Sequence, residues 1–415
     1  MSNMLRNNYK VISADAVVVG AGILGLLLAK RLLDFGQKVI LIDKSLTVAN
    51  GASAMNHGWV HQGSAPSLTA NNKEHARSIV KKLQYGHTFY KTYAPECFDE
   101  PFDSTYAVTA NPAKAARARE IWPHTGLDFD ELSTEEFAQV DSTMDPEAAK
   151  FYFRVPESRI NNRLLLLKLF TDVRNRGGIV FMGADYEYEG EHEIRITAQQ
   201  ETWRVRSQMF FYSTGINLND SYHKFTGRPL GIQYCKSHLL YLPRFTNASA
   251  IGLDPGTPIV INHGNVSVVN RSYDEVPASS NTDLALDPTE VERSLEVLYK
   301  HYPEARRLRP HTVTSKAFLK PFFTKAQGAG RHSADQSVFE PRPGHIFALP
   351  GKMTAAPYVA DQIIHKAVPA LNLTAVTGRP FDPAVMPLAG PEYRAGSISR
   401  PVALTGRLLH SIFSR

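Results

Sequence analysis

Apolar positions near the start of the chain follow an order that predicts a compact βαβ unit. An apolar run at 16–19 has the length of a buried strand, and a second run follows at 39–42. A helical stretch lies between them and stops at Gly36, a residue typical of helix ends. The pattern predicts two neighbouring parallel strands joined by a crossover helix.

The turn between the first strand and the helix reads Gly20-Ala21-Gly22-Ile23-Leu24-Gly25. Gly20 allows the tight turn, Gly22 lets backbone N–H groups approach a pyrophosphate, and Gly25 lets helix and strand pack closely. The helix N-terminus, at Ile23 and Leu24, favours negative charge. Asp43, followed by Lys44, ends the second strand about 20 residues on, where an acid accepts hydrogen bonds from a ribose diol. The unit predicts a dinucleotide site.

Later apolar stretches predict further elements of the same kind. A leucine-rich helix at 164–173 precedes a strand that starts at 177–182 and leads to Tyr186. Two more strands run into turns, the first at Thr214 and Gly215, the second at Gly351, Lys352, Met353 and Thr354. A helix follows at 359–368, and short strands are predicted at 239–242, 259–262 and 266–269, with a helix that carries Val291, Leu295 and Leu298.

The segment after the second strand, 51–64, is rich in glycine and small residues, which suits a backbone that passes close to a flat ligand. Its stretch Asn56-His57-Gly58-Trp59-Val60-His61-Gln62-Gly63 resembles the N-S-G-V-I-H-A-G of L-2-hydroxyglutarate oxidases. The chain thus resembles the FAD-dependent family of D-amino acid oxidase, glycine oxidase and glycerol-3-phosphate dehydrogenase. It departs from the motif at His57, Trp59 and Gln62, positions that could face substrate.

The resemblance implies FAD as the cofactor and supplies its expected contacts. In the family, the small-residue segment runs beside the flavin, which implicates Ala52, Ser53, Asn56, His57 and Gly58. The backbone near Tyr186 would contact adenine, and Thr214-Gly215 would return to the cofactor. The turn 351–354 resembles the G-G-K-L-T-T of glycerol-3-phosphate dehydrogenases and would bring N–H groups and the Lys352 ammonium near the flavin pyrimidine ring. Met55 occupies the place of the histidine that binds FAD covalently in some relatives, so we expect non-covalent FAD.

We expect an α/β fold, a doubly wound, Rossmann-like FAD domain with a mixed or antiparallel sheet as the substrate domain. The FAD domain would be discontinuous, at 1–95, 155–225 and 328–385, with 96–154 and 226–327 forming the substrate domain. A basic tail at 386–415 predicts an amphipathic helix. Such a helix most often packs on its own protein, but it could also make peripheral membrane contact.

Composition narrows the classes of partner. The 415 residues are 43% hydrophobic and 21% charged, as in ordinary globular proteins, and no apolar run is long enough to span a bilayer. The start of the chain lacks the apolar region of a secretory signal. The two cysteines are far apart in sequence and predict neither a disulfide framework nor a zinc site. We therefore expect a cytoplasmic location, and association with a membrane stays open. No metal spacing occurs. The net charge of +6 does not by itself indicate nucleic acid, because Lys and Arg outside the tail are scattered.

Five residues are candidates for substrate chemistry. Oxidation of an alcohol needs a base with a pKa near the working pH, and histidine fits best, at His61 or His57. An anionic substrate needs fixed cations, for which the candidates are Arg331, Lys320 and Lys352. Arg331 stands where glycerol-3-phosphate dehydrogenases carry a substrate-binding arginine, and Lys320-Pro321 resembles their arginine-proline.

The sequence therefore predicts an FAD-dependent oxidase or dehydrogenase that oxidises a small, anionic 2-hydroxy acid or amino acid by hydride transfer to flavin N5. Oxygen or a quinone would accept the electrons. Two alternatives remain at this point: a tRNA-modifying flavoprotein, and a flavin-bound module without turnover.

Overall fold

The structure, a computed structural model, describes residues 10–99, 105–272, 276–308, 313–323 and 337–371. Its strands, in chain order, are β1 (Lys10–Ser13), β2 (Ala16–Val19), β3 (Val39–Asp43), β4 (Trp59–Val60), β5 (Thr105–Thr109), β6 (Asp130–Leu132), β7 (Phe151–Val155), β8 (Ser158–Arg159), β9 (Ile179–Met182), β10 (Ala184–Gly190), β11 (Glu193–Ala198), β12 (Glu201–Arg206), β13 (Met209–Tyr212), β14 (Ile232–Pro243), β15 (Ser249–Gly252), β16 (Pro258–His263), β17 (Val266–Arg271), β18 (Val276–Pro277), β19 (Thr314–Phe323), β20 (Ser337–Arg342) and β21 (His345–Leu349). Its helices are α1 (Ile23–Asp34), α2 (Ala52–Met55), α3 (Ser64–Leu68), α4 (Lys73–Tyr93), α5 (Pro112–Thr125), α6 (Thr134–Val140), α7 (Asn162–Asn175), α8 (Leu218–Thr226), α9 (Pro288–His301) and α10 (Ala356–Leu371).

A six-stranded sheet in the order β20-β21-β13-β2-β3-β9 forms the centre of the cofactor half. All its neighbouring strands are parallel except β20, which runs antiparallel to β21. β2 lies in the middle, with Val17 opposite Ile40 of β3 and Phe210 of β13. Its four residues are all buried, because a central parallel strand is covered on both faces.

The two faces of this sheet meet different layers. Alternate residues such as Ala16 and Val18 pack with the helices α1, α7 and α10. The residues between them, such as Val17 and Val19, pack against the four-stranded sheet β1-β12-β11-β10. The predicted α/β, Rossmann-like fold is confirmed, with a β-sheet rather than more helices on this second face.

The strand expected to run from 177–182 to Tyr186 is two strands instead of one. β9 belongs to the parallel sheet and β10 to the four-stranded sheet, and Gly183 separates them. Gly183 has φ +63°, a left-handed conformation that glycine adopts without strain, and its N–H donates to Ser45 O at 2.8 Å. The prediction of one strand was wrong because a single glycine moves the chain between layers.

A nine-stranded mixed sheet forms the other half of the described structure, with the order β18-β14-β17-β16-β15-β5-β7-β6 and β19 paired to β14. The pair β15–β5 is parallel and its other pairs are antiparallel. One face packs against α3, α4 and α5, and the other against α6 and α9. Its strands come from residues 105–155 and 232–323. The domain boundaries predicted above stay a prediction.

The predicted elements at the C-terminal end lie only partly within the described residues. The helix expected at 359–368 is α10. Arg331 and the basic tail at 386–415 lie outside the described residues. Within the described ranges, no helix has both the length and the apolar character needed to cross a membrane.

We expect Gly86→Ala to destabilise the protein by about 1–3 kcal/mol, because added volume in a packed contact forces the backbone apart. A Cβ at Gly86, on α4, would stand 1.6 Å from the carbonyl oxygen of Thr354. Gly190→Ala is the control, since its Cβ would meet nothing closer than 3.9 Å. Thermal unfolding of both variants checks this, and equal melting temperatures would contradict it.

Candidate functional site

The glycine turn after β2 has the close packing that its sequence predicts. Gly20 has φ +105°, and a Cβ there would stand 2.6 Å from Ser213 O. A Cβ at Gly25 would stand 1.8 Å from Gly20 O, so α1 can begin this close to the turn only with glycine. Gly22 caps the start of α1, where Ile23 N–H donates to Ser53 Oγ at 3.1 Å.

A cleft of about 420 Å³ opens above this turn. Most of the residues predicted to bind the cofactor line it, namely Gly20, Gly22, Ile23, Leu24, Asp43, Lys44, Ala52, Ser53, Tyr186, Thr214 and Gly215. A side chain at Gly22 would project close to Ser53, so its glycine leaves room beside the helix N-terminus. A cleft lined by a helix N-terminus and by an acid after β3 fits the diphosphate and ribose of FAD.

Asp43 stabilises the glycine turn through hydrogen bonds of its own. Its carboxylate accepts hydrogen bonds from Ala21 N–H at 2.6 Å and from Ser45 N–H at 2.7 Å. A carboxylate has about four acceptor positions, so capacity remains for a ribose hydroxyl. Lys44 donates to Asn217 Oδ1 at 3.0 Å across the cleft. The contact of Asp43 with ribose stays a prediction.

Asn56 fixes the small-residue segment where it leaves the cleft. Its amide donates to Ser53 O at 2.9 Å, and its side-chain oxygen accepts from Gly58 N–H at 2.9 Å and from Asn162 at 2.8 Å. Gly58 has φ +79°, and a Cβ there would stand 2.6 Å from Ile160 O. Asn56 and Gly58 do not line the cleft and shape the backbone around His57 instead.

The turn 351–354 and the histidine segment meet although they are far apart in sequence. His61 N–H donates to Thr354 Oγ1 at 3.1 Å, and the Asn56 amide lies 3.6 Å from Met353 Sδ. Gly351 has φ +71°, which turns the chain after β21. Segments 56–61 and 351–354, both expected beside the flavin, thus form one surface.

Glu157, between β7 and β8, is the residue that sequence reasoning missed. Its side chain is fully shielded from solvent. Hydrogen-bond donors surround its two oxygens, namely Trp59 Nε1 at 2.7 Å, Gln62 N and Gly63 N at 3.1 Å each, Ser64 N at 2.8 Å and Ser64 Oγ at 2.5 Å. His61 Nδ1 lies 3.1 Å from Oε2. Burial alone would raise the pKa of Glu157, but His61 and Ser64 outweigh it and lower the pKa.

The rings of His57 and His61 lie edge to face, with centroids 6.4 Å apart and planes at 88°. Burial lowers the pKa of His57 well below its ordinary value, and the nearby charges of Lys320, His61 and Lys352 act in the same direction. Burial also lowers the pKa of His61, and Glu157 opposes this shift only in part. Both imidazoles are therefore neutral near pH 7.

The structure thus brings four of the five candidates for substrate chemistry together. Lys320 lies on β19, opposite Cys235 of β14, and its ammonium is near enough to act on both histidines. Lys352, in the turn after β21, also lowers the pKa of both histidines. Arg331 lies outside the described residues. Trp59, a position expected to be able to face substrate, is instead 2% exposed, packs in the core and donates to Glu157.

His263, on β16, joins the nine-stranded sheet to this surface. Its Nε2 lies 2.8 Å from His57 O and its Nδ1 lies 2.6 Å from Asp99 Oδ2. Arg159, on β8, is 4% exposed and donates to Asn262 O on the strand that carries His263. No local sequence signal marks His263 or Asp99, because both act through contacts between distant segments.

We expect Glu157→Gln to lower the free energy of unfolding by about 3 kcal/mol near pH 7, since an amide cannot accept from donors on both sides. A carboxyl whose pKa is lowered by folding stabilises the fold above its unfolded pKa and loses that contribution as the pH falls. The difference between wild type and variant should therefore shrink below pH 4.5, the ordinary value for glutamate.

Denaturant titrations from pH 7 downwards measure this difference. Glu131→Gln is the control, because Glu131 pairs with Arg119 near the surface and such pairs contribute about 0–1 kcal/mol. A difference between wild type and Glu157→Gln that does not change with pH would contradict the prediction.

Comparisons with known proteins support the fold described above. No curated protein matches the chain in sequence. Among solved structures, an L-α-glycerophosphate oxidase from Mycoplasma pneumoniae with FAD bound is 14% identical, with 88% of this chain and 96% of that chain covered and a TM-score of 0.71. A glycine oxidase from Geobacillus kaustophilus is 12% identical, with 89% and 98% covered and a TM-score of 0.70. An L-proline dehydrogenase from P. horikoshii is 13% identical, with 87% and 94% covered and a TM-score of 0.69. At these identities the likeness shows the fold.

The family resemblance in the sequence is confirmed, whereas the nearer link to L-2-hydroxyglutarate oxidases stays a prediction. The family described as FAD dependent oxidoreductase, DAO, matches residues 15–347, which is most of the chain. The protein therefore belongs to the DAO family of FAD-dependent oxidoreductases, and is an enzyme that uses FAD.

Proposed function

We propose that this enzyme oxidises a small anionic 2-hydroxy acid, with His61 as the base that accepts the hydroxyl proton. The observation that carries the proposal is the surface where two neutral histidines meet the charges of Lys320 and Lys352. A base must be unprotonated before it can act, and burial keeps His61 in that state at neutral pH. When bound, FAD accepts the hydride that leaves the substrate carbon.

The residues that would hold FAD are those of the cleft. The N-terminus of α1, at Gly22, Ile23 and Leu24, would bind the diphosphate, and Asp43 would bind the ribose. Tyr186, Thr214 and Gly215 line the same cleft beside them. Segments 56–61 and 351–354 would contact the flavin ring, with Lys352 near its pyrimidine side. We expect the cofactor to be non-covalent, because Met55 offers no nucleophile.

The local charge favours an anion with a hydroxyl group over one with an ammonium group. Lys320 and Lys352 lower the pKa of His57 because their positive charges disfavour another positive charge there. The same field attracts a carboxylate and repels a protonated amine. A hydroxyl is neutral and meets no such penalty, so a 2-hydroxy acid suits the surface better than an amino acid.

The first test is an anaerobic titration of the purified yellow protein with L- and D-2-hydroxy acids, amino acids and glycerol phosphates. We expect a 2-hydroxy acid to bleach the visible flavin band. Admission of air then separates an oxidase, whose band returns, from a dehydrogenase that needs a quinone. Bleaching by amino acids alone would overturn the proposed substrate class, and a protein that no compound bleaches would favour a flavin-bound module without turnover.

We expect Lys320→Met to raise KM for the anionic substrate about 10- to 100-fold with little change in kcat, because a lost charge-assisted hydrogen bond costs about 1.5–3 kcal/mol. Lys316→Met, on the same strand, removes the same charge at an exposed position and is the control. Steady-state kinetics with the acid that bleaches the flavin gives both constants. Equal effects of the two variants would mean that only net charge matters.

A further inference from the structure

The protons on the two site histidines are fixed by their neighbours. Glu157 carries a charge and can only accept hydrogen bonds, so the proton between it and His61 must reside on Nδ1. Because the His61 ring is neutral, its Nε2 keeps a lone pair. Within the described part of the chain, Nδ1 and the backbone N–H are the groups of His61 that donate.

His57 has the opposite arrangement. The backbone N–H of Trp59 donates to His57 Nδ1 at 3.2 Å, so this nitrogen bears the lone pair. The ring is neutral as well, which leaves its one proton on Nε2. Segment 57–61 thus holds one imidazole of each tautomer, with a ring separation of 6.4 Å.

We propose that Glu157 is a positioning residue that holds His61 as an Nε2 acceptor, while the Trp59 backbone holds His57 as an Nε2–H donor, and that this donor–acceptor pair selects a hydroxyl next to a carboxylate. The inference rests on the proposed function. The substrate hydroxyl donates to His61, and one oxygen of the neighbouring carboxylate accepts from His57. A 2-hydroxy acid carries this donor and this acceptor on adjacent carbons.

The proton balance of the step is simple. The hydroxyl O–H bond breaks and a new N–H bond forms at Nε2 of His61, while the hydride leaves the substrate carbon for FAD. His61 then carries a positive charge beside the negative charge of Glu157. In the reverse tautomer, Nε2 of His61 would carry a proton and could not accept the one from the hydroxyl.

The tautomers can be measured in the resting holoenzyme, with no substrate, by ¹⁵N NMR of histidine-labelled protein near pH 7.5. His61 and His57 are assigned as the signals lost in His61→Asn and His57→Asn. We expect a protonated Nδ1 and an unprotonated Nε2 for His61, and the reverse for His57. In Glu157→Gln the His61 signal should change tautomer or average between the two forms.

Ser64→Ala is the matched control. It removes a donor to the same carboxylate, at Oε1 rather than at the oxygen beside His61, and should leave the His61 tautomer unchanged. Glu157→Asp keeps the charge and should restore part of the wild-type signal. An Nε2–H form of His61 in the wild type, or a His61 tautomer that persists in Glu157→Gln, would overturn the inference. The wild-type spectrum decides this even where Glu157→Gln fails to fold.

Kinetics separates positioning from simple structural support. With the acid that bleaches the flavin, kcat should fall about 10²- to 10⁴-fold in Glu157→Gln, as when a buried carboxylate no longer orients a catalytic histidine. Glu157 raises the pKa of His61, whereas burial, Lys352 and Lys320 lower it. The acid limb of kcat/KM should therefore move to lower pH in Glu157→Gln, and an unmoved limb would contradict the inference. If no 2-hydroxy acid of the panel bleaches the flavin, the proposed function is wrong, whereas the tautomers measured by NMR remain valid.

Discussion

The structure of the candidate site depends on a single buried negative charge. Removing a carboxylate from water is costly, and Glu157 is stable in its place only because donors from one short segment converge on it. That segment, 59–64, begins with β4 and includes His61, so the contact that satisfies the charge also orients this histidine. The backbone of residues 62–64 must wrap around the carboxylate, which fixes where the histidine segment lies relative to β8.

Packing of α4 against the turn after β21 also holds the surface around the two histidines in place. α4 approaches the turn after β21 so closely that Gly86 has no room for a side chain, and Tyr90 of this helix donates to Met353 O at 2.8 Å. Thr354 of that turn in turn accepts from the backbone of His61. His263 adds a third support, because it bridges His57 and Asp99. Elements from both large sheets thus meet at two histidines.

The features that the sequence predicted correctly depend on residues that are close together along the chain. Gly20 and Gly25 form the tight turn and the close packing that their spacing indicates, because a turn between a strand and a helix depends on neighbouring residues alone. The same holds for the strands that end at Asp43 and Tyr212. Glu157 could not be found this way, since it lies 93–98 residues from the groups it binds and its stretch of sequence shows only a single acid between Pro156 and Ser158. The prediction of one strand across Gly183 was wrong because the apolar pattern continues through this residue, although the chain passes there from one sheet to another.

The proposed proton transfer is also favourable for the buried charge itself. In the resting state the dyad of Glu157 and His61 holds one negative charge, and fixed dipoles of N–H groups offset it. When His61 accepts a proton, the dyad becomes an ion pair without net charge, which a low-dielectric interior tolerates better than a separate cation. Lys320 and Lys352 oppose the new positive charge on His61 and so favour its later release. The carboxylate therefore makes proton uptake possible in a buried site, and the lysines keep it reversible.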